Sequence, residues 1–221
     1  MRVFTLLILL TTSIIVTAQE KPTAVMIDEF GKTGCEDMQV RVENFLASLQ
    51  RNPQSRGYVV MYPQEGINIR GYFKLEQLLR SSLIFLRFQN APVTFVRAAR
   101  MPEQKVELWI APSGAEPPKV SELDWTREIT TAEKYFDSSW PYGELCAEDP
   151  VDMFAVILKD GPTLRGHISI SERSDRKYRK LLGEIKTKLA SVDALRLRFF
   201  RRRDCSADTC GRYQLWLVPG R

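Results

Sequence analysis

The segment Val106-Glu107-Leu108-Trp109-Ile110-Ala111-Pro112 returns at the end of the chain as Tyr213-Gln214-Leu215-Trp216-Leu217-Val218-Pro219. Two further landmarks recur in the same order. Cys35-Glu36-Asp37 corresponds to Cys146-Ala147-Glu148-Asp149, and Gly57-Tyr58-Val59-Val60 to Gly166-His167-Ile168-Ser169. The three offsets are 111, 109 and 107 residues, so the spacing survives with small changes in loop length. Such a pattern describes one supersecondary unit built twice, which constrains the fold more than any single motif. The duplication sets the expected boundaries: a leader over 1–18, a first module over 19–112, a linker over 113–131 and a second module over 132–221.

Within the first copy, Ala24 to Phe30 reads as a strand ending at Gly31. Met38, Val42, Phe45, Leu46 and Leu49 then mark one face of a helix over 36–50, with Glu36 and Asp37 suiting the helix dipole at its start. A strand over 57–62, a helix over 71–88 and strands over 93–98 and 105–111 complete the order β-α-β-α-β-β. The second copy repeats it with a strand over 134–136, a helix over 152–159, a strand over 165–171 and a helix over 174–191. Strands over 194–201 and 212–219 are expected to form a closing hairpin. The predicted class is therefore α+β, two tandem modules, each a mixed sheet with helices on one face. Ser113-Gly114-Ala115-Glu116-Pro117-Pro118 forms a short, proline-stiffened linker, and Val120 to Thr131 either extends it or begins the second module.

Met1-Arg2-Val3-Phe4 precedes an apolar run from Leu6 to Val16 and the small-residue end Val16-Thr17-Ala18. This is the pattern of a secretory signal peptide cleaved after Ala18, and the run is shorter than the about twenty apolar residues of a membrane span. A periplasmic or secreted protein, not integral to the membrane after cleavage, is expected. Four cysteines in an exported chain point to disulfides. Cys205 and Cys210 flank a four-residue loop and are expected to pair. Cys35 and Cys146 occupy equivalent positions, and both a bridge and two free thiols remain open for them.

Alternation along the closing strands places Trp109 and Trp216 on the face opposite the aliphatic residues. That face could bind a ligand, bind a protein, or be covered by the other module, the last being the simplest expectation for a tandem protein. The chain has one histidine, His167, so no Ser-His-Asp, Cys-His or histidine metal site can be assembled. Phosphate-binding and nucleophile-elbow motifs are also missing. Neither enzymatic activity nor a cofactor is expected. Charge is polarised within the second copy: residues 120–172 hold 11 acidic and 4 basic side chains, residues 173–212 hold 13 basic and 5 acidic. Export argues against a nucleic-acid partner for the basic half, and the simplest reading is neutralisation by the acidic half. Trp109, Trp216, Arg173, Arg176 and Arg198 are the candidate binding residues.

Phe30-Gly31, the helix through Phe45-Leu46-Ala47-Ser48-Leu49, the strand Gly57 to Tyr62 and the closing Lys105-Val106-Glu107-Leu108-Trp109-Ile110 together resemble the OmpA-like domain of bacterial envelope proteins, over about residues 24–112 and more faintly over 132–219. The resemblance implies a β-α-β-α-β-β scaffold that associates non-covalently with peptidoglycan. The family's aspartate and arginine clamp has no counterpart at Tyr62-Pro63-Gln64-Glu65-Gly66 or Gly71-Tyr72-Phe73-Lys74. Ser171-Glu172-Arg173-Ser174-Asp175-Arg176 places acid and arginine at about the right place in the second copy, though not in the family's pattern, so no binding residue is carried over. The strings Asp28-Glu29-Phe30-Gly31 and Cys35-Glu36-Asp37 also resemble those of uncharacterised exported bacterial proteins. The expected function is a non-catalytic envelope binding module whose partner is a cell-wall polymer or an envelope protein. The alternative is a protein–protein adaptor of the periplasm or secreted space, and a thiol-redox or hydrolytic enzyme is the least favoured reading.

Overall fold

The computed structural model describes residues 21–88, 90–138 and 149–220. The leader-like segment, Trp140 and Cys146 lie outside them. The first module runs β1 (Val25–Phe30), α1 (Cys35–Gln50), β2 (Arg56–Tyr62), α2 (Ile69–Phe85), β3 (Val93–Arg97) and β4 (Lys105–Ala111). The second runs β5 (Glu133–Asp137), α3 (Pro150–Asp160), β6 (Leu164–Ser171), α4 (Asp175–Lys188), β7 (Leu197–Arg202) and β8 (Arg212–Pro219). The sheets have matching strand orders, β1-β4-β2-β3 and β5-β8-β6-β7, so the expected pair of α+β modules with mixed sheets is what the chain forms. Among the described residues, no helix is long and apolar enough to cross a membrane.

Each module obeys the same physics. A helical crossover makes β3 parallel to β2 and β7 parallel to β6, because parallel neighbours need a long connection. Along β4 the residues Val106, Leu108 and Ile110 turn toward α1 and α2. Along β8 Leu215 and Leu217 turn toward α3 and α4. The repeated glycine has a packing reason. A Cβ on Gly57 would sit 2.6 Å from the Phe45 ring, and one on Gly166 would sit 2.8 Å from Leu158 and 3.0 Å from Phe154. Glycine lets the first helix of each module lie close against its second strand. The bulges repeat too: the register of β1 against β4 shifts between Met26 and Asp28, and that of β5 against β8 between Lys134 and Phe136. Ile27 and Tyr135 are thus the equivalent bulge residues.

The modules do not hang from a spacer. Helix α2 divides its apolar residues between two cores: Leu75, Leu79 and Leu83 pack in the first, while Ile69, Tyr72 and Phe73 pack in the second. Phe73 is fully buried, edge-on to Trp125 at 4.9 Å and to Tyr135 at 6.4 Å. The segment expected to be linker, Trp125 and Ile129 included, belongs to the second core. Its backbone also closes the outer edge of β3, through Ala99 N to Ser121 O at 2.8 Å and Leu123 N to Arg97 O at 2.8 Å. Arg97 completes the joint. It donates to both oxygens of buried Glu76, at 2.7 and 3.0 Å, and to Asp160 of α3 at 2.8 Å. Arg80 adds a second guanidinium to Glu76 at 2.7 Å.

Two expectations are corrected. The closing strands of the second module do not form a hairpin: β6 lies between β7 and β8. Burial explains the order. Leu215 and Leu217 are wholly buried and need neighbours on both sides, whereas β7 alternates half-buried and exposed residues and suits an edge. Nor, among the described residues, does either module cover the other's tryptophan face, because the joint runs through α2, which packs on β5 and α3 on the helix side of the sheets.

Glu76→Ala leaves buried Arg97 without its main partner. A loss of about 3–5 kcal/mol is expected in urea unfolding, with tryptophan fluorescence and far-ultraviolet dichroism reporting one shared transition. Two separated transitions would contradict the shared-helix arrangement.

Candidate functional site

The two sheet faces that carry no helices have become different surfaces. Trp109 and Trp216 sit at equivalent points. Trp109 lies opposite Tyr58 and Met26, and Trp216 opposite His167 and Lys134. Trp109 is tied down. Its Nε1–H donates to Glu107 at 2.9 Å, and Glu107 also accepts from the Tyr62 hydroxyl at 3.1 Å and pairs with Lys105 at 2.6 Å. Burial alone would raise the Glu107 carboxyl, but the bonds from Lys105, Trp109 and Tyr62 outweigh it and hold the group below the usual carboxylate range. Residues 21–24 and Glu116–Lys119 rim the same tryptophan around a cavity of about 330 Å³, joined by the Lys21–Glu116 pair.

The second face is open and basic. Strand pairing aligns Lys134, Trp216, His167 and Arg198 in one row across all four strands. The next rows add Ser169 beside Phe200, Ser171 between Arg202 and Arg212, and Arg165 beside Val218. The position held by Glu107 in the first sheet is Gln214 here, whose side chain turns to Asp137 at 2.7 Å. Among the described residues, no hydrogen bond reaches the Trp216 indole N–H, and Lys134 Nζ lies 5.3 Å from its ring centre. Phe200 is 46% exposed and meets His167 edge-on at 5.3 Å. A shallow depression of about 190 Å³ is lined by Ala132, His167, Ser169, Phe200, Trp216 and Val218.

Among the described residues, five cations share this face with the carboxylate of Asp137, which already engages Lys134 and Gln214, while Arg202 at the strand end also meets Asp204 at 3.7 Å. Among the described residues, Arg165, Arg198 and Arg212 form no ion pair, so the described carboxylates of the acidic half do not pair with these three. Partial burial, then Arg198 and Arg165, hold the His167 imidazole below its ordinary range, which keeps it neutral at neutral pH. The chemistry offered is anion pairing beside stacking surfaces. Among the described residues, no group of histidine, cysteine or acidic side chains has metal-binding geometry.

Of the five candidate binding residues, only Trp216 and Arg198 come together here. Trp109 is on the first sheet. Arg173 and Arg176 are exposed at the start of α4, which packs on the opposite side of the second sheet. That turn is internally satisfied: Glu172 accepts from Ser174 N–H at 2.8 Å, and Arg201 pairs with Asp175 while donating to the Glu172 and Arg173 carbonyls at 3.0 and 2.7 Å. Sequence reasoning passed over Arg165, Phe200 and Arg212, and met Arg202 only as part of the basic run Arg201-Arg202-Arg203. Their signal is the period-two alternation Arg165-His167-Ser169 and Arg198-Phe200-Arg202 on neighbouring strands. Cys205 and Cys210 are bridged as expected. Cys35 is also disulfide-bonded, and Cys146, the remaining cysteine of the sequence, lies outside the described residues. No family model matches the chain, and no curated protein matches it.

The His167 environment has a pH consequence. Because its folded value is depressed, protonation favours the unfolded chain, so stability is retained above the unfolded value near about pH 6.5 and falls as the pH drops below it. His167→Gln should reduce the loss of stability between about pH 7 and pH 5, read as a smaller change in urea midpoint. An identical pH dependence in the two proteins would contradict the assignment.

Proposed function

We propose that the protein is a non-catalytic binding protein of the bacterial cell envelope, whose second sheet takes an anionic polymer across its open face. One observation carries this reading: Trp216, His167 and Phe200 lie beside Arg165, Arg198 and Arg212, which have no carboxylate partner among the described residues. Guanidinium groups pair with carboxylate or phosphate, and flat aromatic surfaces beside them receive sugar rings or aliphatic stems. A flat sheet with a shallow depression suits a long chain more than an enclosed small molecule. The disulfide and the leader-like N-terminal sequence support an exported setting.

Peptidoglycan is the polymer the reading favours. The strand and helix order matches the scaffold expected from the OmpA-like resemblance, and wall peptides carry free carboxylates. The contact proposed here is the sheet face. The acid and arginine string at residues 171–176 is spent on internal bonds.

Co-sedimentation with purified sacculi tests this. Binding should be retained at low salt and fall steeply as ionic strength rises, because exposed charge pairs are screened. Arg198→Glu combined with Arg165→Glu should weaken it by about tenfold or more, and Trp216→Ala by about fivefold, without loss of the folded state. No sedimentation at low salt sinks wall binding. Sedimentation that ignores both variants sinks the face as its site.

A further inference from the structure

The internal repeat contains one apolar docking helix and two places to seat it. In the second module, the bulged strand β5 receives α2. Tyr135, the bulge residue, is 3% exposed, faces the Phe73 ring, and donates its hydroxyl to Gln77 at 3.4 Å. In the first module the equivalent strand is β1 and the equivalent residue is Ile27, which is 41% exposed. Val25 and Met26 are exposed beside it. Val40 is exposed on α1, next to Arg41, whose guanidinium bonds Asp28 of β1 at 2.9 Å. Three consecutive exposed apolar residues on an edge strand are a liability unless something covers them.

The other edges of the two sheets are managed. Residues 121–123 close β3, α2 packs on β5, and β7 carries Arg198 and Arg202. A second copy of the chain does not fill the seat. The N-caps Asn68 and Ser174 align α2 with α4, so α4 presents Arg179 and Gly183 where α2 presents Phe73 and Gln77. Both α4 residues are exposed, and the helix forms a polar end to the array of the kind that terminates repeat stacks. Among the described residues the donor face thus occurs once and is consumed within the chain.

We propose that the β1–α1 surface around Val25, Ile27 and Val40 docks an amphipathic helix supplied by a partner protein, with an aromatic or branched apolar residue over Ile27 and basic residues on its flanks. The flank chemistry follows from charge. In the occupied seat, acidic residues of α3, Asp152 and Asp160, meet a joint whose incoming side carries Arg80 and Arg97. Around the open seat stand Asp28, Glu36 and Asp37 against Arg41. This surface lies on a different sheet from the proposed polymer site, so the two readings stand or fall separately.

The probe is a fluorescein-labelled peptide of residues 67–86, the one helix known to fit a bulged strand of this scaffold. It is titrated into the purified full-length protein, whose own α2 already occupies the β5 seat. Saturable binding by anisotropy is expected. Ile27→Asp should weaken it by about tenfold, the effect of removing one branched aliphatic contact, and Arg198→Glu should leave it unchanged. A peptide carrying Phe73→Ala should bind about tenfold more weakly to the unaltered protein, which keeps the test independent of any folding defect in the Ile27 variant. Absence of saturable binding overturns the proposal. So does binding that is indifferent to both Ile27→Asp and Phe73→Ala.

Discussion

Helix α2 is buried on two sides, and the architecture depends on it. Leu75, Leu79 and Leu83 fill the first core while Ile69, Tyr72 and Phe73 fill the second. Between these faces lies Glu76, a carboxylate 1% exposed, held by Arg80 and by Arg97, which also reaches Asp160. A buried charge is costly unless its partners are fixed, so Glu76 makes the relative position of α2, β3 and α3 hard to change. Trp125 packs over Phe73 and under the Arg97 guanidinium, adding the connecting segment to the same joint. Small modules near the lower comfortable size for a core gain most from this sharing of apolar area.

The joint also decides which surfaces are left over. Because α2 packs on the helix side, both helix-free sheet faces point away from it, and the copies have treated theirs in opposite ways. Glu107 in the first sheet gathers Tyr62, Lys105 and Trp109 into a satisfied cluster, rimmed by residues 21–24 and 116–119. Gln214 at the matching point lacks the charge to do the same. The second sheet instead exposes Phe200 and arginines about a tryptophan whose indole N–H has no acceptor among the described residues. Duplication supplied two equivalent faces; divergence stabilised one and left the other available.

Much of the scaffold is legible in the sequence. The Leu108-Trp109 and Leu215-Trp216 strands, the glycines at 57 and 166 and the heptad-like spacing of Met38, Val42, Phe45 and Leu49 announce element type and order, because alternation and helical periodicity are local properties. Strand order is not local. Ala194 to Arg201 and Arg212 to Pro219 read as a hairpin, since nothing in either segment says that β6 inserts between them. The second allegiance of α2 is hidden for the same reason: Phe73 carries no mark distinguishing its core from that of Leu75. The candidate site is half legible. Trp216 and Arg198 stand out by type, but Arg165, Phe200, Arg202 and Arg212 become one surface only through parallel pairing of β6 with β7. Arg173 and Arg176, conspicuous in a basic run, lie on the wrong side of the sheet.

The proposed function rests on one of two equivalent faces being available for an anionic polymer. Indole N–H resonances in a nitrogen–proton correlation spectrum test it directly, during titration with a soluble acidic glycan such as polygalacturonate. The Trp216 resonance should shift progressively while that of Trp109, held by Glu107, stays in place. A shift at Trp109 with none at Trp216, or no shift at either, would contradict it.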